Sequence, residues 1–133
     1  MLECVIMGDS IAQGVARLRP QCAQITQQGV TSWTFSNQLL QTVNARQVLI
    51  SLGSNDVGTP DLARHLRQVR SRITQGEVTW LLSANNSHAA AQVQQIARAQ
   101  GDRVIQVRLV VGPDGVHPTA AGYHRLNQMW RPL

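Results

Sequence analysis

The sequence predicts an α/β fold: a parallel sheet of five strands with helices over both faces. Two observations carry this expectation. Short apolar runs of strand length alternate with segments of helical spacing along all 133 residues, the order that parallel strands joined by crossover helices require. The apolar runs also end on Gly, Ser, Asn or Asp, residues that turn a chain out of a strand and cap a following helix. No repeat, low-complexity tract or linker interrupts the pattern, so residues 1–133 read as one domain around one core.

Residues 2–7 form the first strand, whose run Cys4-Val5-Ile6-Met7 is short and apolar enough to be buried. Gly8-Asp9-Ser10 turns the chain, and Ile11 to Leu18 reads as a short helix stopped by Pro20. Residues 22–28 read as a second strand, ended by Gly29. Thr31 or Ser32 can cap a helix to about Asn44, with Trp33, Leu39, Leu40 and Val43 as buried candidates. Residues 47–52 are the third strand, followed by Gly53-Ser54-Asn55-Asp56. Pro60 and Asp61 open a helix with Leu62, Leu66, Val69 and Ile73 at helical spacing, ending near Gly76. Residues 77–83 are the fourth strand, and Ser87 caps an Ala- and Gln-rich helix that stops at Gly101. Residues 103–107 are the fifth strand. A loop then carries Asp114 to Pro118, and Thr119 caps a last helix to about Trp130. Trp33 and Trp80 are expected in the core, and Trp130 over the end of the sheet.

Composition narrows the function. With 43% hydrophobic and 14% charged residues the chain suits a folded domain rather than a disordered one. No apolar run reaches the length of a membrane span. The first strand begins without a basic region or cleavage site, so the expectation is no signal peptide and, by default, a cytoplasmic protein. The formal charge is +5 and every basic side chain except histidine is arginine. Arg64, Arg67, Arg70 and Arg72 cluster, but no aromatic residues interleave with them, so a solvated helix face is expected rather than a nucleic-acid surface. Cys4 and Cys22 fall in predicted strands, where they are expected to be reduced core residues. Neither metal-ligand spacing nor a cofactor motif is visible.

Three stretches bear chemistry. Ser10 lies at the mouth of a helix, where backbone N–H groups lack partners; it can be a nucleophile whose own N–H faces an oxyanion, or an ordinary helix cap. Asp114-Gly115-Val116-His117-Pro118 places a carboxylate three residues before a histidine, across a turn at Gly115. The carboxylate can fold back onto Nδ1 and leave Nε2 free to serve as a base. In Gly53-Ser54-Asn55-Asp56 the Asn55 carboxamide can donate to an oxyanion, although all four residues also suit a plain turn. Ser10, Gly29 and Asn55 each follow a strand directly, which puts them on the same carboxyl-end rim of a parallel sheet. His65, His88 and His124 match no such pattern and are read as surface or structural residues.

Together these blocks resemble the SGNH hydrolases, the GDSL esterase/lipase family. Gly8-Asp9-Ser10-Ile11 is similar to the first block, Gly29 to the glycine of the second, Gly53-Ser54-Asn55-Asp56 to the Gly-x-Asn-Asp block, and Asp114 to Thr119 with Gly122-Tyr123 to the last. The resemblance spans nearly the whole chain. It implies a flavodoxin-like three-layer sandwich with strand order 2-1-3-4-5 and a serine esterase mechanism without metal or cofactor. By that resemblance Ser10 is the nucleophile, His117 the base and Asp114 its orienter. The Ser10 and Gly29 N–H groups and the Asn55 side chain form the oxyanion hole, and Asp9 supports the turn. The chain is shorter than most members of the family and lacks their long insertions.

Five strands, their helices and two loops use almost every residue, leaving short connections and no lid. Val30, Phe35, Val57, Val110 and Val111 are the apolar residues expected near the rim, too few to line a fatty-acid tunnel at about 0.8 kcal/mol per buried methylene. The expected substrate is therefore a short acyl ester, acetyl above all, on a carbohydrate or other polar acceptor, with Arg108 within reach of an acidic one. The alternatives are a short-chain thioesterase or lysophospholipase, or a catalytically silent binding module of the same fold.

Overall fold

The protein is described by a computed structural model covering residues 1–130. Five strands, β1 (Leu2–Gly8), β2 (Ala23–Thr26), β3 (Val43–Ser51), β4 (Ile73–Leu82) and β5 (Arg103–Gln106), form one sheet in the order β2-β1-β3-β4-β5. Every neighbouring pair is parallel. Helices α1 (Ser10–Arg17), α2 (Ser32–Thr34), α3 (Leu62–Ser71), α4 (Ser87–Gln100) and α5 (Ala120–Met129) make the crossovers and the C-terminal layer.

Strand side chains alternate between two faces, and the central strands are apolar on both. Val5, Met7, Val48, Ile50, Leu52, Val78, Trp80 and Leu82 point to one face, where Leu66 and Val69 of α3 and Val93 of α4 cover them. Cys4, Ile6, Leu49, Leu81 and Ile105 point to the other, beneath Ile11 and Val15 of α1 and Leu126 of α5. Each fully buried Ile or Leu in these rows contributes roughly 1.5–3 kcal/mol relative to exposure. The result is the expected α/β/α sandwich. With β2 and β3 on opposite sides of β1, the chain's connections diverge at the carboxyl ends of β1 and β3, the place where ligands gather in such sheets. Among the described residues no helix is long and apolar enough to cross a membrane.

Several elements differ from the sequence-based expectation. The helix expected from about residue 31 to 44 is short: α2 runs on into a π-turn (Phe35–Leu39), and Leu40 is already extended. Strand β3 starts at Val43 because Val43-Asn44-Ala45-Arg46 alternates buried and exposed, a period of two that a helix cannot satisfy. Ile73, expected on α3, begins β4 and pairs with Val43. Asn86 rather than Ser87 caps α4, its side chain accepting from the Ala89 N–H. Trp33, expected in the core, is 47% exposed. Trp80 and Trp130 are buried.

The cysteines are a further correction. Cys4 and Cys22 form a disulfide, with 4.8 Å between their Cα atoms. Cys22 sits just before β2, and the next residue, Ala23, pairs with Val5. The two side chains therefore lie opposite each other at the start of the β1–β2 ladder, facing the α1 layer, where strand spacing permits a bridge.

Candidate active site

The sharp turn after β1 exists because Gly8 has no side chain. Its φ is +129°, and a Cβ there would lie 1.9 Å from the Ser51 carbonyl oxygen. The turn continues through Asp9, whose N–H donates to that carbonyl at 3.0 Å. Asp9 is the N-cap of α1: its Oδ1 accepts from the N–H groups of Ile11 (3.1 Å) and Ala12 (3.4 Å) and from the Ser51 hydroxyl (2.9 Å). With Asp9 as the N-cap, the Ser10 hydroxyl is not engaged in capping α1. Asp9 is fully buried and its Oδ2 has no partner among the described residues. Burial pushes its carboxyl up to about 6, against the hydrogen bonds from Ser51, Ala12 and Ile11, which favour the ionised form.

Ser10 Oγ lies 2.8 Å from His117 Nε2. On the far side of the ring, Nδ1 lies 2.9 Å from Asp114 Oδ2. The other Asp114 oxygen accepts from the N–H groups of Val116 and His117, both at 2.8 Å. Those two donors and the His117 ring hold the Asp114 carboxyl down to about 2, the Val116 N–H most strongly. Asp114 is thus ionised at neutral pH and fixes Nδ1 as the protonated ring nitrogen, leaving Nε2 to accept from Ser10. The loop folds back locally: the Gly112 N–H donates to the His117 carbonyl at 2.8 Å, and Val111 bridges to Pro118. Thr119 then caps α5 through the Gly122 N–H, and Tyr123 packs against α1 where a Cβ on Gly14 would strike its ring.

The two remaining predicted residues reach the same rim. Gly29 is exposed, in the left-handed region at φ +73°. Asn55 is exposed after β3, and its Nδ2 donates one proton to the Val30 carbonyl at 3.1 Å. That bond fixes the orientation of the carboxamide and leaves its second N–H for another acceptor. Ser10 and Gly29 N–H have no acceptor among the described residues.

Sequence patterns did not reveal how the loops are joined. Asp56 is buried; its Oδ1 accepts from the Ser32 N–H (2.8 Å) and the Thr59 hydroxyl (2.9 Å), and its Oδ2 from the Ser32 hydroxyl (2.6 Å). Nothing in the spacing of Ser32 and Asp56 announces this contact, although Asp56 stands inside a block already singled out. Of the other histidines, His65 is buried with Nδ1 3.0 Å from the Ser36 hydroxyl, whereas His88 and His124 are exposed. Within the arginine cluster Arg70 is taken up by a two-pronged pair with Asp102, at 2.7 and 3.0 Å.

The rim is open. Val30 and Phe35 are buried in the core and Val110 nearly so, whereas Trp33 and Val57 are exposed. A cavity of about 540 Å³ opens at the opposite end of the sheet, lined by Glu3, Arg46 and Glu77. It holds no nucleophile beside a base, so hydrogen-bond geometry rather than cavity size places the candidate site at the Ser10 rim. No three His, Cys, Asp or Glu side chains gather as metal ligands among the described residues.

No sequence-family profile matches the chain, and neither does any curated protein sequence. Solved structures do. A carbohydrate acetylesterase from Sinorhizobium meliloti superposes with a TM-score of 0.62 at 14% identity, covering 96% of this chain and 95% of that one. An inhibitor-bound aryl esterase from M. smegmatis gives 0.65 at 13% identity over 97% and 98%. A protein of the G-D-S-L family from Desulfitobacterium hafniense gives 0.60 at 11% identity over 96% and 97%. At these identities the likeness establishes a shared fold over nearly the full length of each chain.

Proposed function

We propose that this chain is a serine ester hydrolase of the SGNH type that removes a short acyl group, acetyl above all, from a carbohydrate or similar polar acceptor. The observation that carries the reading is the relay Ser10 Oγ–His117 Nε2–Asp114, with both links under 3 Å. In the first half-reaction Ser10 Oγ attacks the acyl carbon as Nε2 takes the hydroxyl proton. The carbonyl oxygen becomes an oxyanion held by the Ser10 and Gly29 N–H groups and the Asn55 side chain. The intermediate collapses to an acyl-enzyme, and the imidazolium returns its proton to the departing alkoxide. Water, deprotonated by Nε2, then attacks the same carbon and restores Ser10.

Acyl length follows from the rim. With Val30 and Phe35 buried, little apolar surface remains to remove a long chain from water. An uncovered rim leaves room for a bulky acceptor, and the structurally similar acetylesterase acts on carbohydrate. Exposed Trp33 and Val57 favour a second reading, in which the acceptor is an aryl or aliphatic group. Both are tested by kcat/KM across p-nitrophenyl esters of two to twelve carbons and acetylated sugars, with Ser10→Ala alongside. A maximum at two to four carbons that vanishes in Ser10→Ala is expected. A maximum at eight or more carbons replaces it with the lipid-active, lysophospholipase alternative. A wild type unreactive toward every ester and toward a serine-directed phosphonate is a silent binding module.

A further inference from the structure

The two outer oxyanion donors stand on loops whose strands are not neighbours. Gly29 follows β2 and Asn55 follows β3, with β1 between them. Two strand spacings are about 10 Å, so no ladder bond joins the two strand ends. Beyond Gln27, which still donates to the Gly8 carbonyl, the Gly29–Ser32 segment leaves the sheet. It is joined to the β3 turn by the Asn55 bond to Val30 and by the N–H and hydroxyl of Ser32 on the Asp56 carboxylate, which the Thr59 hydroxyl braces from within its own loop. The β3 turn is itself held from the other side, where Asn85 donates to the Ser54 carbonyl and Asn86 to the Gly53 carbonyl. A buried carboxylate accepting from an N–H and two hydroxyls is a strong, charge-assisted tie, and it lies one residue from Asn55 and three from Gly29.

We propose that Asp56 is a positioning residue: by clamping Ser32 it sets the distance between the Gly29 N–H and the Asn55 carboxamide, and so the geometry of the oxyanion hole. The inference rests on the esterase reading above. Oxyanion donors act only when held within about 0.5 Å of the developing charge, and a loop free to shift by 1 Å loses that advantage in the transition state while still binding substrate.

The test measures p-nitrophenyl acetate hydrolysis by the full chain and by Asp56→Ala, Asp56→Asn, Asp56→Glu and Ser32→Ala, each with and without Asn55→Ala. Asp56→Ala is expected to lower kcat about 10–100-fold with KM within about twofold. Asp56→Asn, whose Oδ1 still accepts from the Ser32 N–H, should recover most of the loss. In the Asn55→Ala background Asp56→Ala should cost less than about threefold more, because both changes act through one donor set. The pH profile of kcat/KM should not move, since the Ser10–His117 pair is untouched. Equal fold-losses in both backgrounds, or a change confined to KM, overturn the proposal. If Asp56→Ala fails to fold by circular dichroism, Asp56→Glu decides: its extra methylene displaces the carboxylate from both the N–H and the hydroxyl of Ser32, and a kcat within error of wild type overturns the clamp. Ser10→Ala separates the two levels. If it hydrolyses as fast as wild type, the esterase reading and the clamp fall together. If it is inactive while Asp56→Ala and Ser32→Ala keep full kcat, the clamp alone falls.

Discussion

The two halves of the candidate site are built in opposite ways. On the Ser10 side, Asp9 is fully buried, caps α1 and ties it to Ser51 of a neighbouring strand. On the His117 side, the His117 and Asp114 side chains are 46% and 54% exposed, and Asp114 is held by N–H groups no more than three residues away. One half is fixed by the sheet; the other is a self-contained loop resting on it. A nucleophile and its oxyanion donors need fixed positions, because transition-state stabilisation is lost when donors shift. A base must swing its proton between serine, leaving group and water, and a local carboxylate suffices to keep its tautomer.

The largest expected effect tests whether the halves act as one unit. Ser10→Ala and His117→Ala should each lower kcat by about 10⁵–10⁶, and the double variant should lose little more than either. Multiplicative losses would separate them. Next comes the rigid half alone. Asn55→Ala should lower kcat about 10²–10³ at nearly constant KM, since its free N–H meets charge only in the transition state; a rise in KM at constant kcat would make it a substrate contact instead.

The exposed half should be more forgiving. Asp114→Ala should lower kcat about 10–100-fold, well short of the about 10⁴ that a buried orienter commands, because water can accept the Nδ1 proton at this position. Asp114→Asn, which would donate to Nδ1 and favour the wrong tautomer, should be the more damaging of the two. A reversed order of these variants would show that the pair is sealed from water during turnover.

The smallest effect on rate, and the clearest on stability, concerns Asp9. Its carboxyl rises from 3.8 to about 6 on folding, so between those values the folded state holds a proton that the unfolded state has released. Stability should therefore fall as pH rises from about 4 to about 6 and level off above, by about 3 kcal/mol in all. In Asp9→Asn this fall should disappear, while kcat changes little because the amide oxygen still accepts from α1. Urea unfolding of both proteins from pH 4 to 8 measures the difference; parallel curves would remove Asp9 as its source.

Much of this architecture was legible in the residues. Continuous apolar runs such as Val48-Leu49-Ile50 and helical spacing such as Leu62, Leu66 and Val69 specify buried parallel strands and amphipathic helices, because periodicity is a local property. The turn at Gly8, and the short span from Asp114 to His117, follow from backbone geometry within a few residues. The resemblance carried by four short blocks supplied the strand order, which periodicity alone leaves open. Misjudged stretches were those where local signals compete: Val43-Asn44-Ala45-Arg46 alternates like a strand but lies downstream of a helix cap, and the sheet won by burying Val43 and Ala45.

The sequence by itself determined the layers, the rim and the residue types gathered there. Tertiary structure alone decided other pairings between distant residues: Asp56 with Ser32, Cys4 with Cys22. The cysteines show why. Neither Cys4 in β1 nor Cys22 just before β2 announces a partner, and only the register that sets Ala23 against Val5 brings the two sulfurs face to face. Register, and the loop positions it imposes, arise from packing summed over the whole sheet, a quantity that no short stretch of residues contains.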